Sequence, residues 1–158
     1  MIFRLSQKLS DKIKAGTLAT LPLDENPFAD WSAGLFLVGR SQYILVTNTK
    51  SLYSTVIPAK GVTDEKTFIE RALSSIREFM EADGQQGVYE HFIAPVSGSV
   101  QFAKALNRSV TGSMNDMTKH AAYWSIMARY RHERENAAMI SAPDQAAGRR
   151  SWRQSARC

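Results

Sequence analysis

The chain of 158 residues is 44% hydrophobic and 22% charged, a composition typical of a globular domain with a substantial core. Its net charge of +5 is uneven, because residues 1–126 hold 13 Lys and Arg against 12 Asp and Glu, whereas residues 127–158 hold 7 Arg against 3 acids. No apolar run approaches the roughly 18 residues of a membrane span, there is no signal-peptide apolar region, and the one cysteine excludes an internal disulfide. We therefore expect one cytoplasmic domain over residues 1–126 with no membrane partner, followed over residues 127–158 by a basic tail that is partly helical and then disordered.

Two short elements and a loop open the chain. Ile2–Leu5 predicts a strand, and Ser6 is a suitable N-cap for a helix over residues 7–15, because its hydroxyl can accept from unpaired backbone N–H groups. Gly16 ends that helix. Residues 17–30 are interrupted by proline, asparagine and aspartate and are typical of a loop.

The strongest β signal follows this loop. Trp31–Val38, Gln42–Thr47 and Leu52–Ile57 are three runs rich in aromatic and β-branched residues. The connections between them are short and turn-like, so the three runs predict an antiparallel meander. Apolar and polar residues do not alternate cleanly in the first two runs, which indicates central strands covered on both faces.

A long helix over residues 63–82 is predicted by apolar residues that recur at spacings of three and four. A capping residue and acids at its start suit the first turn, since negative charge complements the N-terminal end of the helix dipole. A shorter helical segment over residues 86–93 and a strand over residues 98–106 precede the last helix.

The last helix, over residues 109–126, opens with the most polar stretch of the chain, and Asn107 or Ser109 is a suitable N-cap. Five apolar residues fall on one stripe at steps of four and three: Val110, Met114, Met117, Ala121 and Trp124. We therefore expect an α+β fold. Its antiparallel sheet of four to five strands, with the meander at the centre, packs against the helices at 63–82 and 109–126.

Two polar stripes cover the rest of this helix. One, opposite the apolar stripe, consists of Arg108, Gly112, Asn115 and Lys119. The other, at its side, consists of Ser109, Ser113, Asp116 and His120. A glycine inside a helix costs about 1 kcal/mol relative to alanine, so Gly112 predicts a tight contact or a partner that needs access to the backbone. The plainer interpretation is a capped amphipathic helix with a surface Asp–His pair.

The leading hypothesis is a binding module whose partner is a protein or a nucleic acid. Its surface centres on the polar residues of the last helix, namely Asn107, Arg108, Ser109, Asn115 and Lys119. Trp31 and Asn48 are further candidates, because residues that flank central strands can reach one end of a sheet, although Trp31 also suits a core aromatic. The sequence specifies neither the choice of partner nor the oligomeric state.

The alternative is a hydrolase or transferase acting on a phosphorylated or nucleotide substrate. In that hypothesis His120 is the acid–base group, Asp116 orients it, Arg108 clamps an anion and Ser113 supplies a positioning hydroxyl. No Cys/His cluster and no phosphate-binding glycine-rich loop occurs in the sequence, so we expect neither a metal nor a cofactor. The absence of a convincing reaction centre favours binding over catalysis.

Four motifs carry a resemblance to a known family. They are Met1–Leu9, Pro27–Trp31, Thr47–Asn48 followed by Ser51–Ser54, and Asn107–Val110 with Gly112–Asp116. Over residues 1–124 the chain resembles an uncharacterised family of small bacterial proteins, a domain of unknown function. The resemblance implies boundaries and no activity. The arginine-rich residues 127–158 depart from the family, and they suit either a basic arm for nucleic acid or a segment foreign to the fold.

Overall fold

The computed structural model describes residues 1–106, 108–120, 124 and 128. Five strands form one sheet in the order β4-β3-β2-β1-β5. They are β1 (Ile2–Leu5), β2 (Asp30–Val38), β3 (Ser41–Asn48), β4 (Ser54–Pro58) and β5 (Gln101–Lys104). The chain divides into two compact units, Met1–Ala122 and Tyr123–Cys158, and the sheet belongs to the first.

The two longer helices before residue 86 begin at capping residues of the expected kinds, Ser6 and Asp64. The α-helices are α1 (Gln7–Ile13), α2 (Glu65–Ala82), α3 (Gln86–Val88) with a π-helical turn over Tyr89–Ile93, and a helix at 108–120. The Ser6 hydroxyl accepts from the backbone N–H of Leu9, and the Asp64 carboxylate accepts from that of Thr67 at 2.7 Å. In the described part of the chain no helix combines the length and apolar character that crossing a membrane requires.

The predicted meander is confirmed, because β2, β3 and β4 are antiparallel neighbours. Its predicted place at the centre of the sheet is wrong, because the meander forms one side of the sheet with β4 at the edge. Gly39 opens the two-residue turn between β2 and β3 with a φ of 61°, in the left-handed region that glycine reaches without steric cost. The expected cover on both faces holds for the middle of β3, where Ile44, Leu45 and Val46 are buried. It fails near the end of β2, where Leu37 is 63% exposed.

The expectation of an antiparallel sheet is wrong for the other half of the sheet. β1 lies parallel to β2 on one side and to β5 on the other, so that Phe3 is opposite both Trp31 and Phe102. A parallel pair needs a crossover connection of a dozen or more residues, and the segment between β1 and β2, which contains α1, supplies one. The fold is α+β as predicted, with a mixed sheet.

One face of the sheet carries the hydrophobic core. Phe3 and Trp31 are fully buried there, and the ring of Phe68 from α2 meets that of Phe3 edge-on, with centroids 5.3 Å apart. α1 adds Leu9 and Ile13 to the same core. Burying a side chain of this size stabilises the folded state by about 1.5–3 kcal/mol. The core on this face is therefore a major source of the stability of the fold.

The opposite face of the sheet is polar along its middle. One row of aligned residues crosses all five strands: Ala103, Arg4, Ser32, Thr47 and Ser54. The helix at 108–120 covers this face, because Met117 Sδ lies 3.3 Å from Ser54 Oγ and a methyl group at Gly34 would lie 3.8 Å from Met114 Cε. Side chains alternate along each strand, so α2 and the helix at 108–120 lie on opposite sides of the sheet.

Candidate functional site

The helix at 108–120 is held against the sheet by its apolar stripe. Val110, Met114 and Met117 are half-buried, as their spacing predicts. Trp124 is 61% exposed, so burial does not reach the last residue of the predicted stripe, and Ala121 lies outside the described residues.

Of the two residues predicted as the N-cap of this helix, Ser109 is wrong. Arg108 is already helical, so Ser109 occupies a position inside the first turn and is not the N-cap. Asn107, the other candidate and a predicted binding residue, lies outside the described residues.

The exposed polar face of this helix consists of Arg108, Ser109, Gly112, Asn115 and Lys119, all solvent-exposed. Within the residues that the structure describes, the side chains of Arg108, Ser109, Asn115 and Lys119 make no hydrogen bond or ion pair. Four of the predicted binding residues therefore lie together on one accessible surface. Their polar groups are available to a molecule outside the chain.

Gly112 lies in the middle of this face. A Cβ at this position would meet nothing within 4 Å in the described part of the chain. Its backbone is helical, so no positive φ requires a glycine here. The tight internal contact that the sequence suggested as one reason for Gly112 is absent among the described residues.

The predicted acid–base set lies on the same helix without forming a linked unit. Asp116 and His120 are exposed, Ser113 is half-buried, and within residues 108–120 no hydrogen bond joins Asp116 to His120. None of these three residues, nor Arg108, lines either of the two cavities described below. These four residues therefore do not meet on a concave surface in either cavity.

A first cavity, of about 290 Å³, lies between the helix at 108–120 and the polar face of the sheet. Ser6, Ser32 and Gly34 line it from the sheet side, and Asn115 and Thr118 line it from the helix. Of the exposed polar face, Asn115 is the residue that reaches this cavity. It thereby connects the outer surface with hydroxyl groups beneath the helix.

Arg4 also borders this cavity, but its guanidinium is fully engaged inside the fold. Nε and Nη2 donate to the two carboxylate oxygens of Asp30 at 2.8 Å each. Nη2 also donates to the Pro22 carbonyl at 2.9 Å, and Nη1 donates to those of Leu21 at 2.9 Å and Lys104 at 3.4 Å. All five N–H groups of the guanidinium thus have acceptors. Arg4 anchors the fold and has no donor left for a ligand.

Sequence analysis missed this ion pair. The available signal was an arginine inside the apolar strand β1, since arginine is almost never fully buried without a partner. Burial by itself raises the pKa of the Asp30 carboxyl, but the hydrogen bonds from Arg4, the Thr49 side chain and the Asp24 backbone outweigh it, and the pKa lies below its ordinary value. Asp30 is therefore ionised and structural.

A second cavity, of about 630 Å³, lies between the β3–β4 turn and the C-terminal end of α2. Trp31 and Asn48, the two predicted candidates outside the last helix, both line it. Trp31 is fully buried and donates its Nε1–H to the Phe28 carbonyl at 2.7 Å. Asn48 donates to the Pro27 carbonyl at 2.8 Å and accepts from the backbone and hydroxyl of Ser51. Both polar groups hold the cavity wall in place.

Tyr53 and Asp83 form the most prominent polar contact of this second cavity. The Tyr53 hydroxyl donates to Asp83 Oδ2 at 2.6 Å. Burial, and then the adjacent Asp83 carboxylate, raise the pKa of the Tyr53 phenol, so it remains a donor. Sequence reasoning had no signal for this pair, because the two residues are 30 positions apart on unrelated elements. Among the described residues no three His, Cys, Asp or Glu side chains are grouped to hold a metal ion.

Comparison with known proteins gives one match. The family model described as Domain of unknown function (DUF6933) matches residues 2–145. The match runs past residue 124 and includes residues 127–145, part of the arginine-rich segment that we expected to depart from the family. No curated protein and no solved structure matches the chain. Since the matched residues make up most of the sequence, the protein belongs to this family of small domains of unknown function.

Proposed function

We propose that the protein is a binding module that holds a protein partner against the exposed polar face of the helix at 108–120. The observation that carries the proposal is Gly112, an exposed helical glycine with no described atom within 4 Å of the position of its missing side chain. Arg108, Asn115 and Lys119 flank it with polar groups that have no partner in the described part of the chain.

The glycine matters because it destabilises the free protein. Glycine in an exposed helix costs about 1 kcal/mol relative to alanine. Neither internal packing among the described residues nor a positive φ explains its presence. A partner that approaches the helix backbone closely would explain it, because any side chain at this position would stand between the two surfaces. The flanking amide and cationic groups would then hydrogen-bond to that partner.

Charge favours a protein over a nucleic acid as the partner of this face. Residues 108–120 hold Arg108 and Lys119 against Asp116, a net charge of +1, and residues 1–126 also carry a net charge of +1. Nucleic-acid binding depends on several Lys or Arg contacts to phosphates. Such a density of basic residues occurs only in residues 127–158.

The hydrolase or transferase alternative draws less support. Asp116 and His120 have the spacing of a helical pair, which is the observation in its favour. They are exposed and line neither of the two cavities, and general acid–base catalysis needs a substrate held within hydrogen-bond reach of both groups. Binding is therefore the function that we propose.

The test compares stability and partner capture in the same variants. Gly112→Ala is expected to raise the free energy of unfolding by up to about 1 kcal/mol, because alanine favours the helix. The same change is expected to weaken capture of the partner from a lysate of the native host, and Gly112→Leu to abolish it. Arg108→Ala and Asn115→Ala are expected to weaken capture of the same protein without loss of stability.

Gly87→Ala is the matched control, because Gly87 is another exposed helical glycine with nothing described within 4 Å. It is expected to leave capture unchanged. Equal capture by wild type, Gly112→Leu and Arg108→Ala, all folded, would refute the proposal. Loss of the captured material on nuclease treatment would refute the choice of a protein partner.

A further inference from the structure

The second cavity has the size and lining of a small-molecule site. Its volume of about 630 Å³ falls within the roughly 300–1,000 Å³ of typical ligand pockets. Its apolar wall consists mainly of Phe28, Leu52, Tyr53, Met80 and Val88. Phe28 is held in place by stacking on Phe92, with ring centroids 4.9 Å apart. This wall belongs to a part of the molecule separate from the exposed polar face.

Among the described residues, the polar groups of the cavity are engaged except for the side-chain amide of Gln85 and one oxygen of Asp83. The indole N–H of Trp31 and the amide of Asn48 are committed to backbone and turn contacts. The Tyr53 hydroxyl donates to Oδ2 of Asp83. Oδ1 of Asp83 accepts no hydrogen bond among the described residues. The cavity therefore offers one free carboxylate oxygen beside an apolar wall.

The negative charge of the Asp83 carboxylate is not compensated by a neighbouring positive charge in the described chain. Asp83 is the C-cap of α2, an 18-residue helix, and a carboxylate is unfavourable at the negative end of a helix dipole. No basic residue lies in the last turn of α2, and no Lys or Arg of the described chain is within ion-pair distance of Asp83. Arg77 is paired with Glu81 at 2.9 Å. Lys50, in the neighbouring turn, makes no ion pair with Asp83.

Leu52 lines the cavity at a conformational cost. Its φ of 64° is in the left-handed region, which is unusual for a residue other than glycine, asparagine or aspartate. Its backbone N–H donates to the Asn48 carbonyl at 2.9 Å, and its side chain is 37% exposed. The turn thus holds a partly exposed apolar side chain in the lining of the cavity that also contains Asp83.

We infer that this cavity binds a small organic cation, with an ammonium group at the Asp83 carboxylate and an apolar body along Phe28, Leu52 and Val88. A positive charge there offsets both the carboxylate and the C-terminal end of the α2 dipole. Aromatic rings beside an ammonium group add cation–π attraction, and Phe28 and Tyr53 supply such rings. This site is independent of the proposed partner surface.

Titration followed by two-dimensional amide NMR tests the inference on the wild-type protein. The probes are n-hexylammonium and two controls of equal chain length, n-hexanol and n-hexanoate. Saturable shifts at Leu52, Tyr53 and Val88 are expected with n-hexylammonium, with weaker binding of n-hexanol and none of n-hexanoate. Equal binding of n-hexylammonium and n-hexanol, or the lack of a saturable shift, would overturn the inference without any variant.

Two substitutions, each of which removes one negative charge, complete the test. Asp83→Asn keeps an acceptor for Tyr53 and removes the charge, so n-hexylammonium affinity is expected to fall about fivefold, as for a partly exposed ion pair, while n-hexanol affinity is unchanged. Glu70→Gln, on an exposed position nearer the start of α2, is expected to leave both affinities unchanged. An unchanged n-hexylammonium affinity in folded Asp83→Asn would overturn the assignment of Asp83. Partner capture is expected to be the same in Asp83→Asn as in wild type, which separates this test from that of the proposed function.

Discussion

Replacing Arg4 with methionine should be among the most damaging single changes to the stability of this fold. Methionine matches the length of the arginine stem but donates no hydrogen bond, so the change removes five donors and one charge. It leaves Asp30, which is fully buried, without its counter-charge. The carbonyls of Leu21, Pro22 and Lys104 also lose a donor, so β1 loses its side-chain hydrogen bonds to the following loop and to the end of β5.

The magnitude follows from the burial of the pair. Removing one partner of a buried ion pair costs about 3–5 kcal/mol, because the remaining charge is uncompensated in the protein interior. Domains of this size have a total stability of about 5–15 kcal/mol, so the loss is a large fraction of the whole. Replacing both partners, as Arg4→Met with Asp30→Leu, should recover part of the loss. The recovery stays incomplete because the loop carbonyls still lack a donor.

Urea unfolding followed by circular dichroism measures these changes as a shift of the midpoint at constant slope. The matched control is Arg77→Met, since Arg77 and Glu81 are 2.9 Å apart, a distance close to that between Arg4 and Asp30, but are 60% and 39% exposed. Its substitution should leave the midpoint unchanged, because solvent screens exposed pairs. Equal midpoints for folded Arg4→Met and Arg77→Met would refute the reasoning that burial decides the contribution of this pair.

Two further predictions concern stability. The pKa of Asp30 is lowered in the folded state, so its stabilising contribution is fully present above the unfolded value of about 4 and is lost as the pH falls through the folded pKa. Melting temperatures measured against pH should therefore drop below about pH 4, and a drop of the same size in Asp30→Asn would contradict this assignment. Asn48→Ala should lower the free energy of unfolding, measured in urea, by about 2 kcal/mol or more. The reason is that several side-chain hydrogen bonds of about 1 kcal/mol each hold the β3–β4 turn. Asn48→Asp keeps the acceptor and loses the donor to Pro27, so a stability equal to wild type would show that this donor contributes nothing.

The helices and the meander were predictable because their signals are local. The Ser6 cap, the three-and-four spacing in α2 and the turn at Gly39 each depend on residues within a few positions of one another. The inward stripe of the last helix was predictable for the same reason, over Val110, Met114 and Met117. Boundaries were less accurate, as the strand expected over residues 98–106 is the shorter β5.

The candidate sites were predictable only in part. Periodicity placed Arg108, Asn115 and Lys119 on one stripe and Ser109 on the neighbouring one, because positions along one helix follow from its geometry alone. Periodicity could not show that Trp31 and Asn48 border a different cavity. It also gave no indication of the contact between Tyr53 and Asp83, because that contact depends on how α2 packs beside the β3–β4 turn.

The sequence by itself determined the class of each element, the antiparallel meander and the amphipathic last helix, since caps, turns and periodicity act over a few residues. Only the tertiary structure decided that β1 lies between two parallel neighbours and that Arg4 is buried against Asp30. The physical reason is distance along the chain. The contact between Arg4 and Asp30 spans 26 positions and that between Arg4 and Lys104 spans 100, so their formation depends on the free energy of the whole packed arrangement rather than on any local preference.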